Sequence, residues 1–516
     1  MSHPTRPTIG RRQLLTTTVF GSAAAFALAG CGMTDDTPTN GGAGSGAADA
    51  GTLTAAYARE IISLDPHGSS DVDEGTLMAC RHIYDSLVVR DGEDIVGSLA
   101  TEWTQPDDLT WVFTLREGVA FSDGTPLTAE DVKASLERIA ASETPQAALW
   151  AALTGVEASG STVTIRTSEP LGTTLSNLTL LFIVPAAKLD DPAFFNAPIG
   201  SGPFLVESFT PSDHLHLVPN ADYWGPAAVP TRIEIPYIPE VSTRLTELKS
   251  GNVDLTWTVP PDQIEALSDA DGVRVEITDS WVYYFNWFNC SREPFTDARV
   301  RRAMWHALDV PTVVSSLFGQ TATVATAPIP PTVFGSAPQQ PYAYDPDRAT
   351  ALLAEAGLSD GFSVSLMWSL GSAPQIKSVA QAFAGYWSTI GVTVEMEELE
   401  QATWLNRLLA LDWDMDLQSN SVTTGDADYS LGRLYTSTAN RNGYANPDLD
   451  ATLAAARAET DQEARKGLYA EACRIIWDEA VGVFPMDLTA NYGLRESVQN
   501  FVPAANNQPM LTEVRA

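Results

Sequence analysis

Residues 362–396 read as strand, helix, strand, and that order leaves few architectures open. FSVSLMW has the composition of a strand. Ile376, Val379, Ala380, Phe383, Trp387 and Ile390 then recur at helical spacing, Gly391 supplies a left-handed stop, and VTVEM alternates as a second strand. A helix of this length between two strands is a crossover that returns the chain to the same sheet end, so the pair is parallel. A mixed α/β class follows. The rest of the chain agrees. Leu53 to Tyr57 reads as a short opening strand, IISLDPHGSSD as a polar loop, and Leu77 to Val89 as a helix before the Asp91-Gly92 turn. Trp111, Phe113 and Leu115 alternate with Thr110, Val112 and Thr114, the period of a half-buried strand. Thr128 with Asp131 is a capping box that opens a helix carrying Val132, Leu136 and Ile139 on one face. TVTIRT, HLHLVPN and RIEIPYI are strands, TRLTELKSGNVDLTW is a helix stopped by Gly251 before another strand, and helices are expected near 449–457 and 462–479.

The first fifty residues do not belong to that body. Arg11 and Arg12 precede an apolar run from Leu14 to Gly30, which ends in Leu28-Ala29-Gly30-Cys31. Small residues before a cysteine suit a peptidase groove, and the thiol then accepts an acyl chain. Residues 1–30 therefore read as a lipoprotein signal peptide, twin-arginine-like, with Cys31 as the lipidation site. A transmembrane anchor would need roughly 20 apolar residues, and this run carries three threonines. Residues 31–51 are Gly, Ala, Ser, Thr, Asp and Pro with almost no large apolar side chain, the composition of a flexible tether with a reach of roughly 25 Å.

About 465 residues follow, too many for one hydrophobic core, so two or three lobes are expected. Loss of residues 1–30 removes Arg6, Arg11 and Arg12 and no acid, moving the formal net charge from −35 to −38. Such a surface excludes nucleic acid as a partner and electrostatic docking on anionic lipid. Beyond Cys31, the cysteines are Cys80, Cys290 and Cys473. One bridge plus a free thiol and three buried thiols are both open.

Chemical motifs are absent. No Gly-Lys-Ser or Gly-Lys-Thr marks a phosphate loop, and there is no HExxH, no CxxC and no serine in a nucleophile elbow. His214 and His216 share a strand face, a pattern that suits a metal but more often marks solvent-facing residues. Asp71-Val72-Asp73 starts like a calcium loop, but its glycine comes too early and the later acid is missing. No catalytic residue, cofactor or metal is expected. A tethered, multi-lobed α/β body without catalytic machinery reads as a binder working outside the membrane.

Four segments carry a family resemblance. They are LATEWTQPDDLTWVFTLREGVAFSDGTPLTAEDVKASLER at 99–138, PIGSGPFLVESF at 198–209 with NADYWG at 220–225, PFTDARVRRAMWHALD at 294–309, and NPDLDATLAAARAETDQEARKGLYAEACRIIWDEA at 446–480. In order and spacing the chain resembles the bacterial extracellular solute-binding proteins of family 5, the oligopeptide, dipeptide and nickel class. The resemblance implies a two-lobed clamshell of the periplasmic-binding-protein type (type II, cluster C-like) with an additional subdomain. Lobe I would comprise 52–87, 197–283 and 486–516, the subdomain 88–196, and lobe II 284–485. It implies a monomeric lipoprotein on the outer face of the cytoplasmic membrane that hands a solute, a peptide above all, to the permease subunits of an ABC importer. A sensor or surface-exposed binding lipoprotein of the same fold is the alternative, and a secreted hydrolase a distant third.

The resemblance also nominates ligand-binding residues. Peptide-binding relatives hold the ligand's ammonium with an aspartate in a loop of the second lobe. Asp426 in TTGDADYSLGRLYTS matches it, with Asp428 close behind and Ala427 where proline is usual. The other reading of either aspartate is a helix cap. Trp281, Tyr283, Phe285 and Trp287 share one strand face, which leaves Tyr284 and Asn286 to meet ligand from the other. Trp368 and Trp404 complete the set. Dipeptide-binding relatives carry an arginine just after the strand matching 363–368. Residues 363–376 hold none, which turns the reading away from strict dipeptides.

Overall fold

A computed structural model describes residues 51–516 apart from Glu93. The leader, Cys31 and all of the tether but Gly51 lie outside the described residues. No helix among the described residues is long and apolar enough to cross a membrane.

One mixed sheet of eleven strands organises the body. Its order is Val392–Leu399, Phe362–Ser369, Met415–Ser421, Val273–Phe288, Gly482–Arg495, Leu255–Trp257, Thr52–Ala56, Arg232–Pro236, His214–Pro219 and Phe204–Thr210, with Ala322–Val324 added against Gly482–Arg495. The expected crossover is present: Phe362–Ser369 and Val392–Leu399 pair in parallel through the helix Ile376–Ser388, and Gly391 has φ +84°.

Two strands carry the sheet from one half of the molecule to the other. Val273–Phe288 has 16 residues, roughly 50 Å of extended chain, and it runs antiparallel to Gly482–Arg495. Their register breaks between Asp279 and Tyr283. Before the break, the pair lies in the half that holds Leu255–Trp257. After it, Tyr283 to Phe288 pair with Met415–Ser421 in the other half.

Separate cores give each half its own stability. Lobe I packs Leu53, Tyr57, Trp257, Tyr492 and Leu494 together, and Leu511 and Val514 close that core. A smaller cluster around Leu245, Leu248 and Val273 covers the other face of its sheet. Lobe II gathers Tyr283, Phe285, Trp287, Met304, Phe383, Trp387, Tyr469 and Trp477. A subdomain is built on the antiparallel sheet Ala100–Asp107, Thr110–Leu115, Thr162–Thr167, Leu153–Ser159, with Trp111, Phe113, Leu136 and Ile165 inside.

One expectation changes and one open choice is decided. The helix expected from Leu77 to Val89 ends earlier, as Glu74–Ile83, and Tyr84 is extended at φ −120°, ψ 157°. Leu87 and Val88 are drawn into the subdomain core, while Asp85 turns to accept the Trp224 indole at 2.9 Å. Between the two cysteine alternatives, the structure has Cys80, Cys290 and Cys473 all as free thiols.

Candidate functional site

The register break sits beside a cavity of about 700 Å³. Lobe I contributes Arg81 from the last turn of Glu74–Ile83, Tyr223, and much of the segment 500–513. The subdomain contributes Arg90 and Gly92, the crossing strand Thr278 and Trp281, and lobe II Thr332 and Thr423. Every part of the fold therefore supplies a wall.

Hydrogen bonds fix the wall around Trp281. Trp281 N–H donates to Ala505 O at 2.9 Å, and Trp281 O accepts from Val422 N–H at 3.0 Å. Thr332 Oγ1 donates to Ser280 O at 3.1 Å, and Ser280 Oγ to Leu488 O at 2.6 Å. The backbone at Trp281 is thus held between segment 500–513 and lobe II. The Arg90 guanidinium lies 5.8 Å from its ring centroid and donates through Nη2 to Thr424 O at 2.9 Å and Ser176 Oγ at 3.3 Å. Gly425 makes this approach possible. Its φ is +67°, and a Cβ there would stand 2.7 Å from the Trp281 ring and 2.8 Å from Arg90 Nε.

A seam closes the subdomain onto lobe II next to the cavity. Ser176 Oγ donates to Asp426 Oδ2 at 3.0 Å, and Gly172 N–H donates to Arg457 O at 2.7 Å. The approach is so close that a Cβ on Gly172 would meet Glu459 O at 1.8 Å.

The nominated residues lie behind these walls, and none of their side chains lines the cavity. Asp426, only 2% exposed, forms a bidentate pair with Arg465, itself 1% exposed, at 3.0 and 3.1 Å. Its Oδ1 also caps the helix Ala427–Leu434 by accepting from Asp428 N–H at 3.1 Å. Four donors from the protein fill this carboxylate, so it does not stand open to a ligand ammonium. Asp428 pairs with Arg457 at 3.0 Å. Burial raises its pKa and the guanidinium opposes that.

Tyr284 and Asn286 are fully buried. The Tyr284 hydroxyl donates to Pro374 O and its ring packs 5.8 Å from Phe318. Asn286 Nδ2 reaches Trp287 O at 3.4 Å, and its Oδ1 is buried without a partner. Alternation along the strand is as expected, with Tyr283, Phe285 and Trp287 forming a ladder of rings. The ligand-facing role gives way because lobe II covers both faces of this strand. Trp368 is 2% exposed and donates to Glu398 Oε1 at 3.4 Å. Trp404 donates to Asp416 Oδ1 at 2.8 Å, and burial pushes the pKa of Asp416 up to about 7.

The residues that do line the cavity gave weaker signals. In the sequence pattern Trp281 falls on the strand face of Tyr283, Phe285 and Trp287, opposite the one nominated for ligand. Arg81 follows the apolar run Leu77-Met78-Ala79-Cys80 in its helix, a local hint that its position is special. Segment 500–513 carries no motif. His214 and His216 do share a face, with ring centroids 4.4 Å apart and Ser208 Oγ within 3.1 Å of each. No group of three or more His, Cys, Asp or Glu residues is placed to hold a metal ion among the described residues.

Known proteins share both the sequence pattern and the architecture. The chain is 29% identical over 485 residues to the probable D,D-dipeptide-binding periplasmic protein DdpA of Escherichia coli K12, covering 90% of this chain and 92% of that one. It is 27% identical over 457 residues to the glutathione-binding protein GsiB of the same strain, covering 83% and 87%. Among solved structures, NikA from Brucella suis in complex with Fe(III)-EDTA superposes with a TM-score of 0.81 at 22% identity, over 89% of this chain and 98% of that one. DppA from Helicobacter pylori in complex with the peptide STSA gives 0.76 at 24%, over 90% and 98%. The fold is the two-lobed one of these binding proteins. The family described as Bacterial extracellular solute-binding proteins, family 5 Middle, matches residues 94–442. The chain belongs to the bacterial extracellular solute-binding proteins of family 5, and is a binder rather than an enzyme.

Proposed function

We propose that this protein is the solute-capturing lipoprotein of an ABC importer and that its solute is a short peptide. The carrying observation is the cavity of about 700 Å³ walled by both lobes, the subdomain and the strand that joins them. Its volume lies within the roughly 300–1,000 Å³ of small-molecule sites, and parting its walls at a hinge would admit and release solute. The peptide assignment draws on relatives named for dipeptide and glutathione binding and on a structural neighbour holding a peptide. In this reading the lobes close on solute, the closed form docks on permease subunits, and the protein catalyses nothing. Cys31 carries the lipid, residues 31–51 tether a monomeric body, and the protein works at the outer face of the cytoplasmic membrane.

A thermal-shift screen of the mature chain against peptides of two to eight residues, amines, sugars and nickel complexes tests the solute. A ligand at a hundred times its dissociation constant stabilises by roughly 2.7 kcal/mol. A peptide hit supports the proposal, and a hit confined to another class removes the peptide from it. Metabolic labelling with palmitate, lost on Cys31→Ser, tests the anchor.

A further inference from the structure

The chain has 65 acidic residues against 30 lysines and arginines, so a buried arginine has acids to spare. Several fully or partly buried arginines find one: Arg465 has Asp426, Arg457 has Asp428, and Arg138 has Asp65 at 2.7 Å. Arg81 does not. It projects from the last turn of Glu74–Ile83 onto the cavity wall, where its Nη2 donates to the neutral Gln508 Oε1 at 3.3 Å. Its Nε is buried without an acceptor. Burial alone lowers its pKa to about 10, with no carboxylate pulling the other way. The negative end of the helix macrodipole offsets part of that desolvation. It cannot supply the acceptors that a guanidinium fork needs.

Asp426 is not available to the cavity. Asp426, the carboxylate best placed in sequence to receive an ammonium, is filled by Arg465, Ser176 and its own helix cap. The cavity lining holds Asp91 and Glu513, which can meet a cationic end of a solute, and on the lobe I side Arg81, which can meet an anionic one. Gln508 is itself buried on segment 500–513, with its backbone N–H on Asn506 Oδ1 at 2.9 Å. It can hold the guanidinium in place without neutralising it.

We infer that Arg81 anchors an anionic group of the captured solute, a carboxylate such as a peptide's C terminus, with Gln508 as its positioning residue. The inference rests on the cavity being the capture site. A carboxylate engaging the guanidinium from the cavity side would give Arg81 the charge-assisted bond that the rest of the fold withholds. It would also make the solute's negative end a point of contact for lobe I.

Two measurements on the full mature chain test this. The first needs no solute. Arg81→Met replaces a half-buried charge that no carboxylate pairs with by an apolar chain of similar length, so the melting temperature of the unliganded protein is expected to rise. An unchanged or lower melting temperature would mean that Arg81 serves the fold, and would overturn the assignment. The second compares a mixture of di- to pentapeptides having free C-terminal carboxylates with the same peptides as C-terminal amides. Wild type is expected to bind the acids more tightly than the amides. Arg81→Met should lose that preference and bind the acids roughly ten- to a hundredfold more weakly, with Arg81→Lys between the two. Equal binding of acids and amides by wild type, or of acids by wild type and Arg81→Met, would overturn the assignment. If neither mixture shifts wild type, the peptide reading of the cavity fails instead, and the solute-free measurement alone decides Arg81.

Discussion

Asp426→Asn separates a structural carboxylate from a ligand anchor. The substitution keeps the side chain's shape and the oxygen that caps Ala427–Leu434, but it removes the charge facing Arg465. That guanidinium is enclosed by the rings of Phe334 and Tyr469, 4.9 and 5.4 Å from their centroids. Its remaining acceptors are Ala456 O at 3.2 Å, Tyr469 Oη at 3.2 Å and Gln462 Oε1 at 3.4 Å, all neutral. Two unit charges about 4 Å apart attract by about 4 kcal/mol at an effective dielectric constant of 20. Removal of one partner from a buried pair costs about 3–5 kcal/mol. The two estimates agree, so lobe II should melt roughly 6–20 °C lower if about 200 residues unfold together. The assay is thermal and urea unfolding of the mature chain without solute, followed by tryptophan fluorescence. Arg465→Met added to Asp426→Asn should recover part of the loss, because it removes the stranded charge. Ser176→Ala is the control. It deletes one bond across the seam and should weaken solute binding while leaving lobe II almost as stable. The reasoning is refuted if Asp426→Asn leaves the solute-free protein within about 0.5 kcal/mol of wild type and abolishes peptide binding, since that is the behaviour of an open anchor.

Other perturbations probe the seam, the hinge and the thiols. Gly172→Ala places a methyl group 1.8 Å from Glu459 O and must part the subdomain from lobe II. Calorimetry should show solute binding weakened roughly tenfold, with little change in solute-free melting. Asp487, beside the register break, has its pKa pushed up to about 7 by burial and then by Asp279. A carboxyl that holds its proton more tightly when folded contributes its stability below the unfolded pKa and loses it as pH rises through the folded one. Asp487→Asn should therefore match wild type near pH 4 and melt higher above pH 7, and a gain of the same size at both pH values would contradict this. Burial raises the pKa of Cys290 to about 11 and of Cys473 to about 12, and Cys80 well above the usual thiol range. Iodoacetamide at pH 7.5 should label none of them in the native protein and all of them in denaturant, as read by mass spectrometry.

Local physics was legible wherever one face of an element meets water. The capping box is real, with Thr128 N–H on Asp131 Oδ2 at 2.8 Å. Trp111, Phe113 and Leu115 are buried together, and the helices Pro447–Ala458 and Gln462–Asp478 fall where their periodicity put them. Alternation loses its meaning where both faces are covered. Tyr284 and Asn286 occupy the face opposite the aromatic ladder, yet that face is also core, because helices pack on both sides of a central strand in an α/β lobe. The cavity was the least legible part. Its walls come from residues as distant as Arg81, Arg90, Trp281, Thr423 and Gln508, so no local pattern unites them. Asp426 shows the converse problem. Its loop position was readable, but a partner 39 positions along the chain takes its charge.

The sheet order also has a consequence for a chain emerging from the ribosome. Lobe II is drawn from a nearly continuous stretch, Trp281 to Met486, and can collect its core as soon as that stretch is out. Lobe I cannot. Its opening strand, Thr52–Ala56, and its partner Leu255–Trp257 are made early, but Leu255–Trp257 stays a bare edge until Gly482–Arg495 arrives, and Leu511 and Val514 must still close the core. Segment 500–513 arrives in that same final step. A nascent chain cut short of residue 500 would thus carry a finished lobe II beside an unfinished lobe I that lacks the wall formed by segment 500–513, so a chain able to capture solute has, by that fact, been read past that segment.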